Sequence, residues 1–178
     1  MGTTIVFETH ATSEDNEAGV AAGWHHGRLS ALGREQAAAL GRRRRADGID
    51  AVFASDLRRA VETAEVAFGD TGVPILLDWR LRECDYGALN GAPRGVVHGD
   101  RARYLDAAYP GGESWRAAVA RVGRFLDDLP QWWSGARVLV IGHIATRWAF
   151  EHRLNGVALE DLAPEGAAWR PGWVYLAA

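Results

Sequence analysis

Short apolar runs alternating with stretches of helical periodicity constrain this chain most. Residues 3–8, 51–54, 74–77 and 137–141 are rich in Val, Ile, Leu, Phe and Ala, as strands buried on both faces are. Between them, residues 30–47 read as a helix, with Ser30 at its N-cap and Gly48 beyond its end. Leu57, Ala60, Val61, Ala64 and Phe68 recur at helical spacing. Ser114 opens a third helix whose apolar face is Trp115, Ala118, Val119, Val122, Phe125, Leu126 and Leu129. Residues 144–155 read as a helix closed by Gly156, and residues 173–176 as a last short edge strand. This alternation predicts an α/β fold, a three-layer α/β/α sandwich with a mostly parallel central sheet. Residues 78–112 hold Pro93, Pro110 and several glycines and read as irregular; loops of that length are often functional. With no repeat, low-complexity tract or linker, one domain is expected over residues 1–178.

The 178 residues suffice for a real core. A formal net charge of -3 argues against general nucleic-acid or membrane-surface binding. No stretch reads as a membrane span or signal peptide. The single cysteine, Cys84, excludes an internal disulfide framework and fits a reducing cytoplasm. All 20 basic residues are arginine. The lack of lysine removes Schiff-base chemistry and the lysine-bearing Walker loop. Phosphate recognition here falls to arginine, histidine, hydroxyls or backbone amides.

In an open α/β sheet, ligands bind at the carboxyl ends of the strands. His10 follows the first apolar run and His143 the one at 137–141. An arginine-bearing segment at 55–64 and an acidic one at 81–87 also follow apolar runs. Histidine, arginine and carboxylate at one sheet edge would serve phosphoryl transfer through histidine. His10 is the candidate nucleophile, because neutral imidazole attacks phosphorus directly; a purely structural histidine is the alternative. Arg59 is the candidate phosphate clamp. Arg58 points about 100° away from it on the helix. Ser55 or Asp56 is expected to cap that helix. Glu83 is the candidate general acid, a role that needs burial or anionic neighbours to keep a protonated fraction; Asp85 competes on spacing. His143 is placed to donate to a phosphoryl oxygen, with amides of the helix after it in support.

Other chemistries fit less well. A cysteine phosphatase built on Cys84 needs an arginine six positions on, where Asn90 stands. No HExxH or Cys/His cluster marks a metal site, and His25-His26 reads as a solvated loop pair. The run 42–45 of four arginines reads as a complement to a helix dipole. Trp24, in the first loop, is a candidate substrate contact.

Together these segments resemble the histidine phosphatase superfamily, with its phosphoglycerate-mutase-like fold. The resemblance covers nearly the whole chain in order. Thr9-His10-Ala11 matches the family's Arg-His-Gly. Asn16 and Ser13 match its phosphate-side Asn and Thr/Ser. Leu29-Ser30-Ala31-Leu32-Gly33-Arg34-Glu35-Gln36-Ala37 matches Leu-Thr/Ser-x-x-Gly-x-x-Gln-Ala. Residues 55–64 match Ser-Asp-Leu-x-Arg-Ala-x-x-Thr-Ala, with Arg59 as the phosphate arginine. Leu81, Glu83, Gly87 and Gly91 match the acid motif, and His143 the second histidine. The resemblance implies a phosphohistidine mechanism without metal or other cofactor, acting on a small phosphorylated substrate. Thr9, Asn16, Ser13 and Arg59 would then bind phosphate, and His10, Glu83 and His143 carry the chemistry. A mutase-type phosphotransferase or a phosphate-binding module without turnover is the alternative. The departures are Thr9 for arginine, and Ala11 and Ile144 for the glycines after the two histidines. Arg28, Arg82 and Arg147 are the candidates to replace the lost guanidinium.

Overall fold

The computed structural model describes residues 2–164 and 171–178. Its strands are β1 (Thr3–Thr9), β2 (Val20–Ala21), β3 (Ala51–Ala54), β4 (Ile75–Leu77), β5 (Ala92–Pro93), β6 (Arg137–Gly142) and β7 (Trp173–Ala177). Its helices are α1 (Glu14–Glu17), α2 (Ala31–Arg44), α3 (Arg58–Phe68), α4 (Arg94–Gly99), α5 (Trp115–Trp133), α6 (Ile144–Asn155) and α7 (Leu159–Leu162). Among the described residues, the main sheet has the order β4-β3-β6-β1-β7. All its pairings are parallel except β1 with β7, the expected late edge strand. The mostly parallel sheet flanked by helices is the predicted fold class.

Alternation along the strands splits the core into two layers. Ile5, Phe7, Val138 and Val140 face one side, against Val122, Phe125, Trp148 and Phe150 of α5 and α6. Val6, Val52, Leu139 and Ile141 face the other, against Leu40 of α2 and Ala60, Ala64 and Phe68 of α3. Each large side chain so buried contributes about 1.5–3 kcal/mol. The helices α2 and α3 pack backbone to backbone: a Cβ on Gly41 would lie 2.6 Å from the Ala67 carbonyl oxygen.

The caps follow the sequence at three helices. Ser30 Oγ accepts from Gly33 N, Ser114 Oγ accepts from Ala117 N, and Gly156 closes α6 with φ of 70°. The helix α3 departs from expectation. Leu57 occupies its N-cap without a side-chain bond. Ser55 Oγ takes the Leu57 amide instead, and Asp56 is committed to Arg82 at 2.6 Å.

Residues 78–112 are more ordered than their composition indicates. Two short 3-10 turns, β5 and α4 lie within them. Antiparallel pairing of β5 with β2 ties this segment to the loop after β1. No helix among the described residues is long and apolar enough to cross a membrane.

Candidate active site

Strand register brings the two histidines together. Thr9 stands opposite Gly142 in the parallel β1–β6 pair, so His10 and His143 each lie one residue past a matched strand end. The His10 amide extends the ladder by donating to Gly142 O at 3.0 Å. The two rings lie 4.9 Å apart, centroid to centroid. Both line a cavity of about 680 Å³ at the carboxyl ends of the strands, together with Thr9, Asn16, Arg59 and Glu83.

Arg59 joins the two rings. It projects from the first turn of α3 and is 3% exposed. Its Nε–H donates to His10 Nε2 at 3.3 Å, and Nη2 reaches His143 Nδ1 at 3.4 Å. Nη1 donates to His25 O at 2.9 Å, and Nη2 also donates to Gly23 O at 2.8 Å. Gly23 permits this approach: φ there is 53°, and a Cβ would meet Asn90 Oδ1. Arg58 faces solvent and pairs with Glu62 at 2.7 Å.

A guanidinium only donates, so these contacts fix both tautomers. His10 accepts at Nε2, and its Nδ1–H donates to Ala11 O at 2.7 Å. His143 accepts at Nδ1 and carries its proton on Nε2, a buried atom without a hydrogen-bond partner among the described residues. Burial, then the Arg59 charge, hold the His10 pKa down to about 3, against an upward pull from the Ala11 hydrogen bond. The same two causes, with His10 itself, hold His143 well below the ordinary histidine range. Both imidazoles are therefore neutral at pH 7.

Glu83 is 7% exposed. Its Oε1 accepts from Cys84 N at 2.9 Å and from Ala145 N at 3.1 Å. The amide at the start of α6 thus holds the carboxyl group, where a phosphoryl contact was expected. The His143 amide is likewise taken, by Thr146 Oγ1 at 3.1 Å. Asp85 does not line the cavity; its Oδ1 accepts from Gly87 N and Asn90 Nδ2.

Several expected contacts fall elsewhere. Ser13 is fully buried and does not line the cavity; its Oγ caps α1 by accepting from Asn16 N at 3.2 Å. Asn16 Oδ1 accepts the Ser13 amide in return, which leaves the Asn16 side-chain NH₂ as the donor to the cavity it lines. Trp24 lies outside the cavity lining, with its indole Nε1–H on Glu83 O at 2.7 Å and Arg82 stacked on its ring. Arg28 pairs with Glu14 and Arg82 with Asp56, so neither reaches the cavity; Arg147 does. Ile144, the bulky replacement after His143, also lines it.

Arg121 was not singled out in the sequence, and it anchors the acid segment. It is 2% exposed and donates to the carbonyls of Arg80, Arg82 and Glu83. It also holds Glu113 at 2.7 Å. An arginine on the apolar face of α5 was the available signal. Among the described residues, no three His, Cys, Asp or Glu side chains cluster so as to hold a metal ion.

The family model of the histidine phosphatase superfamily (branch 1) matches residues 5–166. The chain belongs to the histidine phosphatase superfamily. This histidine phosphatase homologue is 35% identical over 178 aligned residues to a 2,3-bisphosphoglycerate-dependent phosphoglycerate mutase of Methylobacterium sp. (strain 4-46), covering 91% of this chain and 85% of the relative. Among solved structures, it is similar to a mycobacterial glucosyl-3-phosphoglycerate phosphatase in complex with VO3. That similarity is 26% identity and a TM-score of 0.78, over 92% of this chain and 87% of the other. Bacillus stearothermophilus YhfR shares the fold, with a TM-score of 0.86 at 24% identity over 98% of this chain and 90% of that one.

Proposed function

We propose that this protein hydrolyses phosphomonoesters of small metabolites through a phosphohistidine on His10, without a metal. The reading rests on the complementary ring nitrogens. A lone pair at His10 Nε2 meets an unsatisfied N–H at His143 Nε2, with one guanidinium between them.

In the first step His10 Nε2 attacks phosphorus, and the bond from phosphorus to the ester oxygen breaks. Glu83 gives its proton to the departing alkoxide oxygen. Arg59 turns its Nε–H from His10 to the phosphoryl group as the N–P bond forms. His143 Nε2–H and the Asn16 amide hold further phosphoryl oxygens. In the second step the Glu83 carboxylate takes a proton from water, the hydroxide attacks the phosphohistidine, and phosphate leaves with His10 neutral again. Arg121 and Trp24 act through the Glu83 backbone, as positioning residues. A cytoplasmic setting accords with a lone cysteine.

Phosphate release from an aryl phosphate and a panel of phosphometabolites tests this reading, with His10→Ala as control. Equal release by the control would sink the assigned nucleophile. The mutase relative motivates a second reading, transfer of the phosphoryl group to another substrate hydroxyl. Isomerisation of a phosphoglycerate exceeding phosphate release would favour it.

A further inference from the structure

β1 ends at Thr9, and the first amide past it, that of His10, still reaches the sheet at Gly142 O. Buried amides need acceptors, and side chains hold the next two. Ala11 N donates to Thr63 Oγ1 of α3 at 3.0 Å, and Thr12 N donates to Gln36 Oε1 of α2 at 2.9 Å.

Thr63 is fully buried, one turn after Arg59 in α3. Its hydroxyl proton goes to Arg59 O at 2.7 Å, which leaves the oxygen to accept from Ala11, 52 residues away. A threonine that bonds back to the carbonyl four residues before it is ordinary in a helix. The amide from the loop beside His10 sets this one apart.

A closed ring of hydrogen bonds results. Arg59 O accepts from the Thr63 hydroxyl, and Thr63 Oγ1 accepts from Ala11 N. Ala11 O accepts from His10 Nδ1–H at 2.7 Å, and His10 Nε2 accepts from Arg59 Nε–H at 3.3 Å. The ring leaves from the main chain of Arg59 and returns to its side chain. In the proposed first step the Arg59 Nε–H turns to the phosphoryl group and opens one link. The other three stay, so Ala11 O still receives Nδ1–H while Nε2 attacks. The positive charge that N–P bond formation places on the imidazole strengthens that bond. Arg59 has further anchors in Gly23 O and His25 O. Among the described residues, the acceptor of the Ala11 amide is Thr63.

We propose that Thr63 is a positioning residue for the reaction: its hydroxyl holds Ala11 so that the Ala11 carbonyl meets His10 Nδ1–H, and so aims Nε2 at phosphorus. The inference rests on the phosphatase reading above, which gives the Nε2 lone pair its use.

Thr63→Val keeps the size of the side chain and removes both hydrogen bonds, whereas Thr63→Ser keeps the hydroxyl. Two measurements read them. One is the burst of nitrophenolate from nitrophenyl phosphate. The other is the slowly exchanging Nδ1–H signal of His10 in proton NMR, assigned by its loss in His10→Gln. Thr63→Val is expected to slow the burst about tenfold or more, as misplacement of a reacting group does, and to lose the Nδ1–H signal to exchange. The half-saturating substrate concentration should change less than about threefold, because Arg59 keeps its anchors on Gly23 and His25. Thr63→Ser is expected to restore the signal and to bring the burst within about threefold of wild type. Thr63→Ala takes the place of the valine variant if that one does not fold. A valine variant with the wild-type burst and Nδ1–H signal would overturn the inference, whatever its melting temperature, and leave the phosphatase reading standing. So would a serine variant that restores neither, or valine and alanine variants that both fail to fold. A wild type that releases no phosphate from any phosphomonoester tried would remove both.

Discussion

Arg59 donates its Nε–H to His10 Nε2 across 3.3 Å, onto the lone pair proposed to attack phosphorus. A residue read in the sequence as a phosphate clamp is also the device that fixes the tautomer of the proposed nucleophile. Lysine cannot reproduce a fork that holds two rings and two carbonyls together. Arg59→Lys is therefore expected to lower kcat/KM about 10²–10³-fold, the loss seen when a transition-state donor is removed. Steady-state kinetics on an aryl phosphate check it; a loss under threefold would contradict the role.

The neutral histidines make stability depend on acid. His10 titrates at about 3 in the folded protein against 6.5 in the reference state, lowered first by burial and then by Arg59. Between those values the unfolded chain binds a proton that the folded chain refuses, so acid favours unfolding. The contribution is full above 6.5 and is lost as pH falls toward 3, by up to about 1.4 kcal/mol per pH unit. Urea unfolding of His10→Gln between pH 6 and 4 should show a shallower loss of stability than the wild type. Equal slopes would contradict the neutral, buried state of this ring.

Glu83 should matter more for poor leaving groups than for good ones. Nitrophenolate departs without a proton, whereas an alkoxide needs one. Glu83→Gln is expected to cost about 10²–10⁴-fold in kcat on alkyl phosphates, the usual worth of general acid–base catalysis. In the first step it should cost far less on nitrophenyl phosphate, read as a burst of nitrophenolate. Equal losses in both would assign Glu83 another role.

The strand ends were legible because apolar runs and turn residues are local signals, and the register of β1 on β6 turned two sequence positions into one site. Thr9, His10, Asn16, Arg59, Glu83 and His143 all line the cavity. What the sequence did not reveal depends on long-range partners. Ser13 reads as a phosphate ligand, but its hydroxyl is consumed by its own helix start. The arginine run in α2 reads as a dipole complement, but Arg43 and Arg44 are drawn to the buried Glu8, an acid directly after the apolar Ile5-Val6-Phe7 of β1. The order in 78–112 comes from pairing with Val20 and Ala21, residues with no local mark of it.

Arg121 provides a test of positioning at a distance. Removing it takes a donor from the carbonyls of Arg80, Arg82 and Glu83 and a buried charge partner from Glu113. Among the described residues, that leaves Glu83 O with only Trp24 Nε1–H and Glu113 with the Asp85 amide. Arg121→Met is expected to destabilise the fold by about 3 kcal/mol. Arg121→Lys should retain more of the fold and still lower kcat on alkyl phosphates more than the rate of the nitrophenolate burst from nitrophenyl phosphate. Thermal melts with both substrates check it. A lysine variant that loses the same factor on both would make Arg121 structural only.

The central claim is a phosphoryl group carried on His10. Wild type and Glu83→Gln are mixed with radiolabelled nitrophenyl phosphate, whose leaving group needs no proton, quenched in alkaline denaturant, and digested. The account predicts acid-labile, base-stable label on the peptide containing His10, greater in Glu83→Gln because water attack is slowed, and absent in His10→Ala. Turnover without label on His10 in either protein, or label on another residue, would contradict it.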